Sequence, residues 1–264
     1  MLEPLIVTLG DVLALALITP ADGLLPEASS PVQTHLTVGG QAAICACWAV
    51  ETGARARAVS ARSYDRLGDF VEAELAERGV DMDGPAVVGS TGLAAVVRPP
   101  GARRTAFTDR GVCPLLSAES LRPEWLIDAD VLHVSGYALL EEPSAGAAEH
   151  AFQLAREAGA TLSVDLACAD IVTPLVRERI TQLQPDVALA TAAQAEAIGG
   201  IDDLADLPVI SDVGALPAID PMGVADAFAA GFLSALAAGA DGHDALDDGR
   251  LLADHCAGLD GPLP

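Results

Sequence analysis

Residues 218–233 read AIDPMGVADAFAAGFL. The pattern predicts a strand end, a turn and a small-residue helix with Asp226 in its first turn. Amide groups at a helix start have no helical acceptor and sit at the positive end of the dipole, so they can hold a phosphate. A carboxylate beside them can take a proton from a hydroxyl. That pairing is the minimum equipment for phosphoryl transfer to an alcohol. Taken alone, the same spacing also describes an ordinary helix start in which Asp226 faces the dipole.

The elements that must position this segment alternate along the chain. Apolar, β-branched runs such as PLIVTLGDVLALALI, RARAVSARS, ADVLHVSGY, TLSVDLA, PDVALAT and LPVIS read as strands. Between them, GGQAAICACWAVETGA, DRLGDFVEAELAERGV, PSAGAAEHAFQLAREAGA, TPLVRERITQLQ and AAQAEAIGG read as helices, as does the tail DGHDALDDGRLLADHCAGL. Residues 92–98 and 103–108 read as two strands around the turn PPGA. Strand–helix alternation of this kind implies an α/β fold with a mostly parallel sheet covered on both faces.

Composition narrows the function classes. Fourteen basic side chains stand against 38 acidic ones, a formal charge of −24 over 264 residues. Such a surface repels phosphate backbones and anionic lipid, which argues against nucleic-acid and membrane partners. The apolar start reads as core strand, without a basic n-region or cleavage site, so a cytoplasmic protein is expected. The chain has no lysine, which excludes a P-loop lysine or a Schiff base, and no asparagine. Both absences together indicate a compositional bias. The odd count of five cysteines argues against a disulfide framework, and Cys45 and Cys47 are read as small buried residues rather than metal ligands. The five histidines form no metal-spaced motif, and no metal site is assigned.

In order along the chain, GDVL, GG opening a helix, DRLG, RRTAFTDRG, DVLHVSGY, SVD and DPMGVADAFAAGF resemble the ribokinase/PfkB family of carbohydrate and nucleoside kinases. The resemblance implies a ribokinase-like three-layer sandwich over residues 1–264 as one domain. It also implies a small β-lid from strands near 14–20, 33–38, 92–98 and 103–108. It implies ATP and Mg²⁺ as cofactors and a sugar or nucleoside ligand. It further implies a catalytic base at Asp226, an anion hole from the amides of Gly223, Val224 and Ala225, and a homodimer joined through the lid. Asp11, Gly39, Gly40 and Arg110 fall at substrate-binding positions.

The departures from the family pattern are specific. Thr191 and Gln194 stand where N-x-x-E organises Mg²⁺, and neither is a carboxylate; Glu196 is two residues on and points elsewhere on a helix. Leu15 and Ile44 replace the aspartate and asparagine that bond sugar hydroxyls, and apolar groups cannot compensate a hydroxyl for its lost water. Val224 adds bulk beside the phosphates, and a left-handed backbone at Ala225 would cost about 1–2 kcal/mol. Only Ile201–Ile219 separates the short helix from the opening motif, room for the strand and one turn at Gly214, so the usual nucleotide wall is shortened. The resulting expectation is a degenerate kinase with weak or no phosphorylation of a sugar hydroxyl. The alternatives are an active sugar or nucleoside kinase with unusual nucleotide contacts, and a non-catalytic binding or scaffolding protein.

Overall fold

The computed structural model describes residues 3–21, 29, 31–99, 104–166, 168–169, 172–211, 213 and 222–264. Its strands are β1 (Leu5–Leu9), β2 (Leu13–Pro20), β3 (Val32–Gly39), β4 (Arg55–Val59), β5 (Arg62–Ser63), β6 (Val80–Asp83), β7 (Ala86–Val87), β8 (Thr91–Val97), β9 (Thr105–Gly111), β10 (Val131–Val134), β11 (Thr161–Asp165), β12 (Val187–Thr191) and β13 (Leu207–Ser211). Its helices are α1 (Gln41–Glu51), α2 (Arg66–Glu77), α3 (Ser144–Ala158), α4 (Pro174–Leu183), α5 (Ala192–Ala197), α6 (Val224–Ala237) and α7 (Gly242–Ala257).

Seven strands form one parallel sheet in the order β13-β12-β11-β10-β1-β4-β6. Alternate residues of β1 serve opposite cores, as the two-residue period of a strand requires. Ile6 packs with α1, α2, α6 and α7 through Trp48, Leu75, Phe228 and Ala253. Leu5, Val7 and Leu9 pack with α3 and α4 through Phe152 and Ile180. All five residues of β1 are buried, the mark of a strand covered on both faces. Helix α1 is buried at every position from Ala42 to Ala49, so its cysteines are packing residues, as their types suggested. Burial drives the Cys47 thiol up to about 12.

A four-stranded lid lies beside this core in the order β3-β2-β8-β9. Its strands match the expected segments to within a few residues, although Arg103 and most of the PPGA turn lie outside the described residues. Some sequence readings change. PLIVTLGDVLALALI is two strands rather than one, because the chain leaves the central sheet at Gly10 and enters the lid at Leu13. A Cβ at Gly10 would meet Ser135 Cβ at 2.6 Å, so the break falls where only glycine fits. Edge strand β6, VDMD, carried too little apolar pattern to be seen. The strand end before the Asp226 turn, and the turn at Gly214, fall outside the described residues.

Asp65 joins lid and core. It caps α2 by accepting from Gly68 N at 2.8 Å, and it accepts from Thr91 N at 2.8 Å and Thr91 Oγ1 at 2.5 Å at the start of β8. Burial pushes its carboxyl upward, but the bonds from Thr91, Gly68 and Ser63 outweigh this and hold it below the usual aspartate value. A lowered folded value contributes stability above the ordinary aspartate pKa, and that stability is lost as pH falls through the lowered one. Asp65→Ala should therefore cost about 1–2 kcal/mol at pH 7 in denaturant titrations. The gap to wild type should narrow as the pH is taken well below 4 (the ordinary aspartate pKa being about 3.9).

Candidate functional site

Helix α6 begins behind Gly223, whose φ is +82°. A Cβ there would meet Pro262 O at 2.5 Å and Pro262 Cα at 2.8 Å, so both the dihedral and the space call for glycine. The first helical bond runs from Ala227 N to Gly223 O at 2.8 Å, which leaves the amides of Val224, Ala225 and Asp226 without helical acceptors. The strain expected at Ala225 is absent, because the left-handed residue is Gly223 and Ala225 is already helical. The bulk expected from Val224 is also absent from the site: its side chain is buried in the core formed with α1 and α7. The helix start is braced from below, where Trp48 Nε1 donates to Pro262 O at 2.8 Å.

Asp226, in the first turn of α6, lines a cavity of about 330 Å³ between helix start and lid. Its Oδ1 is buried without a hydrogen-bond partner among the described residues. Burial, then the charge of Asp165, raises its carboxyl to about 8, while Gln41 and Arg104 pull the other way. The helix dipole was expected to keep this group ionised, and here burial overrides it, so the group is largely protonated at neutral pH. Asp165 ends β11 and accepts from Gly136 N at 2.9 Å. Its Oδ2 lies 3.4 Å from Nε2 of buried His133, whose Nδ1 is 3.0 Å from Ser163 Oγ.

The substrate positions from the sequence are placed differently from one another. Asp11 and Gly40 line the cavity; Gly39 and Arg110 do not. Arg110 instead clamps Asp11 through Nε–Oδ2 at 2.7 Å and NH2–Oδ1 at 2.9 Å. Its remaining donors reach Glu141 Oε1 at 2.8 Å and Tyr137 O at 2.9 Å. Burial lowers the Arg110 pKa, but the Asp11 bond outweighs it and the net shift is upward. Leu15 of the lid and Ile44 of α1 line the cavity beside Leu13, Ala94 and Val96, an apolar stretch bordered by Arg104 and Thr108.

Thr191 and Gln194 cap α5 reciprocally: Gln194 N donates to Thr191 Oγ1 at 3.3 Å, and Thr191 N donates to Gln194 Oε1 at 2.6 Å. Glu196 is exposed and does not line the cavity. Among the described residues no group of three His, Cys, Asp or Glu side chains could hold a metal. Gln41, Arg104, Tyr137, Asp165 and Cys168 complete the site and were not singled out from the sequence. Asp165 had a signal, a lone acid ending the apolar strand TLSVD; the others had none.

The raised Asp226 value carries a stability consequence. A carboxyl that ionises later folded than unfolded contributes stability below its unfolded pKa, lost as pH rises through about 8. Asp226→Asn removes that loss. It should melt above wild type at pH 8, with the difference shrinking toward pH 4, as read by thermal melts across that range.

The pfkB family carbohydrate kinase pattern matches residues 3–207. Fructokinase-1 of Zea mays is 32% identical over 212 residues, covering 76% of this chain and 64% of that protein. Fructokinase-1 of Oryza sativa subsp. japonica is 31% identical over the same shares. The chain thus spans about 64% of the length of these curated relatives. Among solved structures, adenosine kinase from Sinorhizobium meliloti superposes with a TM-score of 0.83 at 18% identity, over 100% of this chain and 96% of that one. A ribokinase II from E. coli in complex with ATP and Mg²⁺ gives 0.82 at 20%, over 99% and 94%. By the family pattern and the fructokinase likeness, resting on the strand, lid and helix arrangement described above, the chain belongs to the pfkB carbohydrate kinase family.

Proposed function

We propose that this chain is a single ribokinase-like domain and a degenerate kinase, with weak or no ATP-dependent phosphorylation of a sugar hydroxyl. The observation that carries this reading is that the polar groups around the cavity serve the protein itself. Asp11 is bound by Arg110, and Thr191 and Gln194 bond each other. The wall facing any sugar is Leu15, Ile44 and their neighbours. A polyol brought there loses water bonds with few replacements.

The helix start fits a phosphate. The amides of Gly223, Val224 and Ala225 would hold one, and ATP would supply the transferable phosphoryl group. Mg²⁺ does not fit the donors present: the capping pair is neutral, and Mg²⁺ is ordinarily anchored by carboxylates. Asp226 accepts the hydroxyl proton in this scheme. With its carboxyl raised to about 8 by burial and Asp165, the proton-accepting form is disfavoured at neutral pH. An active sugar or nucleoside kinase is the second reading, favoured by the unstrained helix start and the unpartnered Asp226 Oδ1.

Coupled turnover with ATP, Mg²⁺ and a panel of sugars and nucleosides separates the two. The expected result is little or no turnover and an ATP–Mg²⁺ Kd weaker than about 1 mM. Micromolar binding by calorimetry would promote the active reading. Any turnover that is seen should climb with pH toward about 8 and vanish in Asp226→Asn; a general base contributes about 10²–10⁴ in rate.

The lid supports a homodimer in this proposal. Its edge strands β3 and β9 are exposed over most of their length, and Val32, Leu36, Leu93 and Phe107 present apolar surface. Unpaired edges with apolar side chains favour pairing with another copy. Light scattering at micromolar concentration should give twice the chain mass, and a monomer mass would remove the dimer.

A further inference from the structure

The cavity beside Asp226 has an apolar wall and a short polar end. In the lid, Leu15 pairs with Ala94 and Leu17 with Val96 across β2 and β8. The two-residue period of a strand puts these side chains on one face, where they form a buried cluster with Leu13. Met222 packs against that cluster and, with Ile44 of α1, also lines the cavity. An unbranched thioether adapts its shape to an apolar guest. At the polar end, Asp226 Oδ1 is buried and has no hydrogen-bond partner among the described residues. A buried oxygen of this kind is costly until something bonds it. Three other acceptors in the lining already have protein donors. Arg110 donates to Asp11, Ser135 Oγ to Gln41 Oε1 at 2.5 Å, and Thr191 N to Gln194 Oε1 at 2.6 Å.

We propose that this cavity takes a neutral alcohol with a mainly apolar body, its hydroxyl at Asp226 and its body against Leu15, Ile44, Val96 and Met222. This assignment rests on the reading above, that the cavity is the ligand site of a kinase fold, and it names the ligand class. A hydroxyl both donates and accepts, so it serves Asp226 whether the carboxyl is ionised or protonated. A hydrocarbon body gains by leaving water and asks no bond of the wall. Each further hydroxyl of a polyol would instead lose its water bonds against leucine, isoleucine and valine. Arg104 and Thr108, at the border of the apolar stretch, leave room for one more polar substituent at the rim. The volume of about 330 Å³ is ample. An apolar protein cavity of roughly 150 Å³ already holds benzene, so a substituted ring fits here.

The test titrates benzyl alcohol, toluene and fructose into the full chain without nucleotide, followed by calorimetry and by methyl NMR. Benzyl alcohol should bind about tenfold or more tightly than fructose and shift the methyl signals of Leu15, Ile44 and Val96. Fructose binding as tightly as benzyl alcohol, or no shift at those methyls, overturns the proposal. Toluene lacks the hydroxyl and should bind more weakly than benzyl alcohol; equal binding overturns the contact at Asp226. Leu15→Asp sets a polar group in the wall and should weaken benzyl alcohol about tenfold or more. Unchanged binding in that folded variant overturns the apolar wall, and Ile44→Thr is read in the same sense should Leu15→Asp fail to fold. Adding ATP and Mg²⁺ then tests the kinase reading separately. Benzyl alcohol bound without phosphate transfer upholds both readings. Benzyl alcohol phosphorylated upholds the ligand class and overturns the degenerate kinase. A chain that phosphorylates fructose and ignores the alcohol overturns both.

Discussion

The ion pair between Asp11 and Arg110 is the joint on which lid and core meet. Asp11 sits just past Gly10, where the chain leaves the central sheet, and Arg110 sits near the end of the last lid strand. The two bonds are parallel and bidentate, the geometry in which a guanidinium binds a carboxylate best. The same guanidinium also reaches Tyr137 O and Glu141 beyond β10. One side chain thus ties three parts of the chain that are far apart in sequence. Breaking a buried pair of this kind leaves an uncompensated charge, so the joint resists opening. It also removes Asp11 from the set of groups free to meet a ligand.

A second constraint follows from the strongly acidic composition. Asp11 and Asp226 line the cavity and Asp165 acts on Asp226 by its charge, and each of the three aspartates is accommodated differently. Asp11 is neutralised by arginine. Asp165 is held by a backbone amide and the ring of His133. For Asp226 the pull of Arg104 is outweighed, so burial and the charge of Asp165 raise its carboxyl to about 8. A carboxylic acid between a helix start and an apolar lid accepts a proton only after it loses its own. The chemistry of the site therefore depends on the neighbours of Asp226 more than on its presence.

The sequence was most legible where one physical signal dominates. Apolar runs bounded by Gly gave most of the central strands and helices; the N-caps Asp65 and Thr173 of α2 and α4 were not read from the sequence. The lid was legible through its resemblance to a known family and through alternating strands. Illegible were features set by three-dimensional approach. No spacing says that Arg110 turns from the cavity to Asp11, or that Val224 points into the core while Ala225 stays unstrained. Gln41 stands between GG and an apolar run, and nothing local shows that it accepts from Ser135, 94 residues away. The short strand β6 was missed because an edge strand with one buried residue carries no period.

The fold and the cavity depend on largely separate sets of residues. The central cores are built from strand and helix faces such as Ile6, Trp48, Phe152 and Phe232, none of which lines the cavity. Even the helix start that would meet a phosphate is fixed by core contacts. Gly223 packs on Pro262, and Pro262 is held by Trp48 from the middle of α1. Selection for folding alone would preserve that helix start and the burial of Asp226. It would place no demand on Leu15, Ile44, Thr191 or Gln194 as ligand contacts, since apolar packing and helix capping satisfy them fully. The helix start is thus a part of the cavity that folding itself maintains, while the apolar wall and the capping pair are satisfied without a ligand.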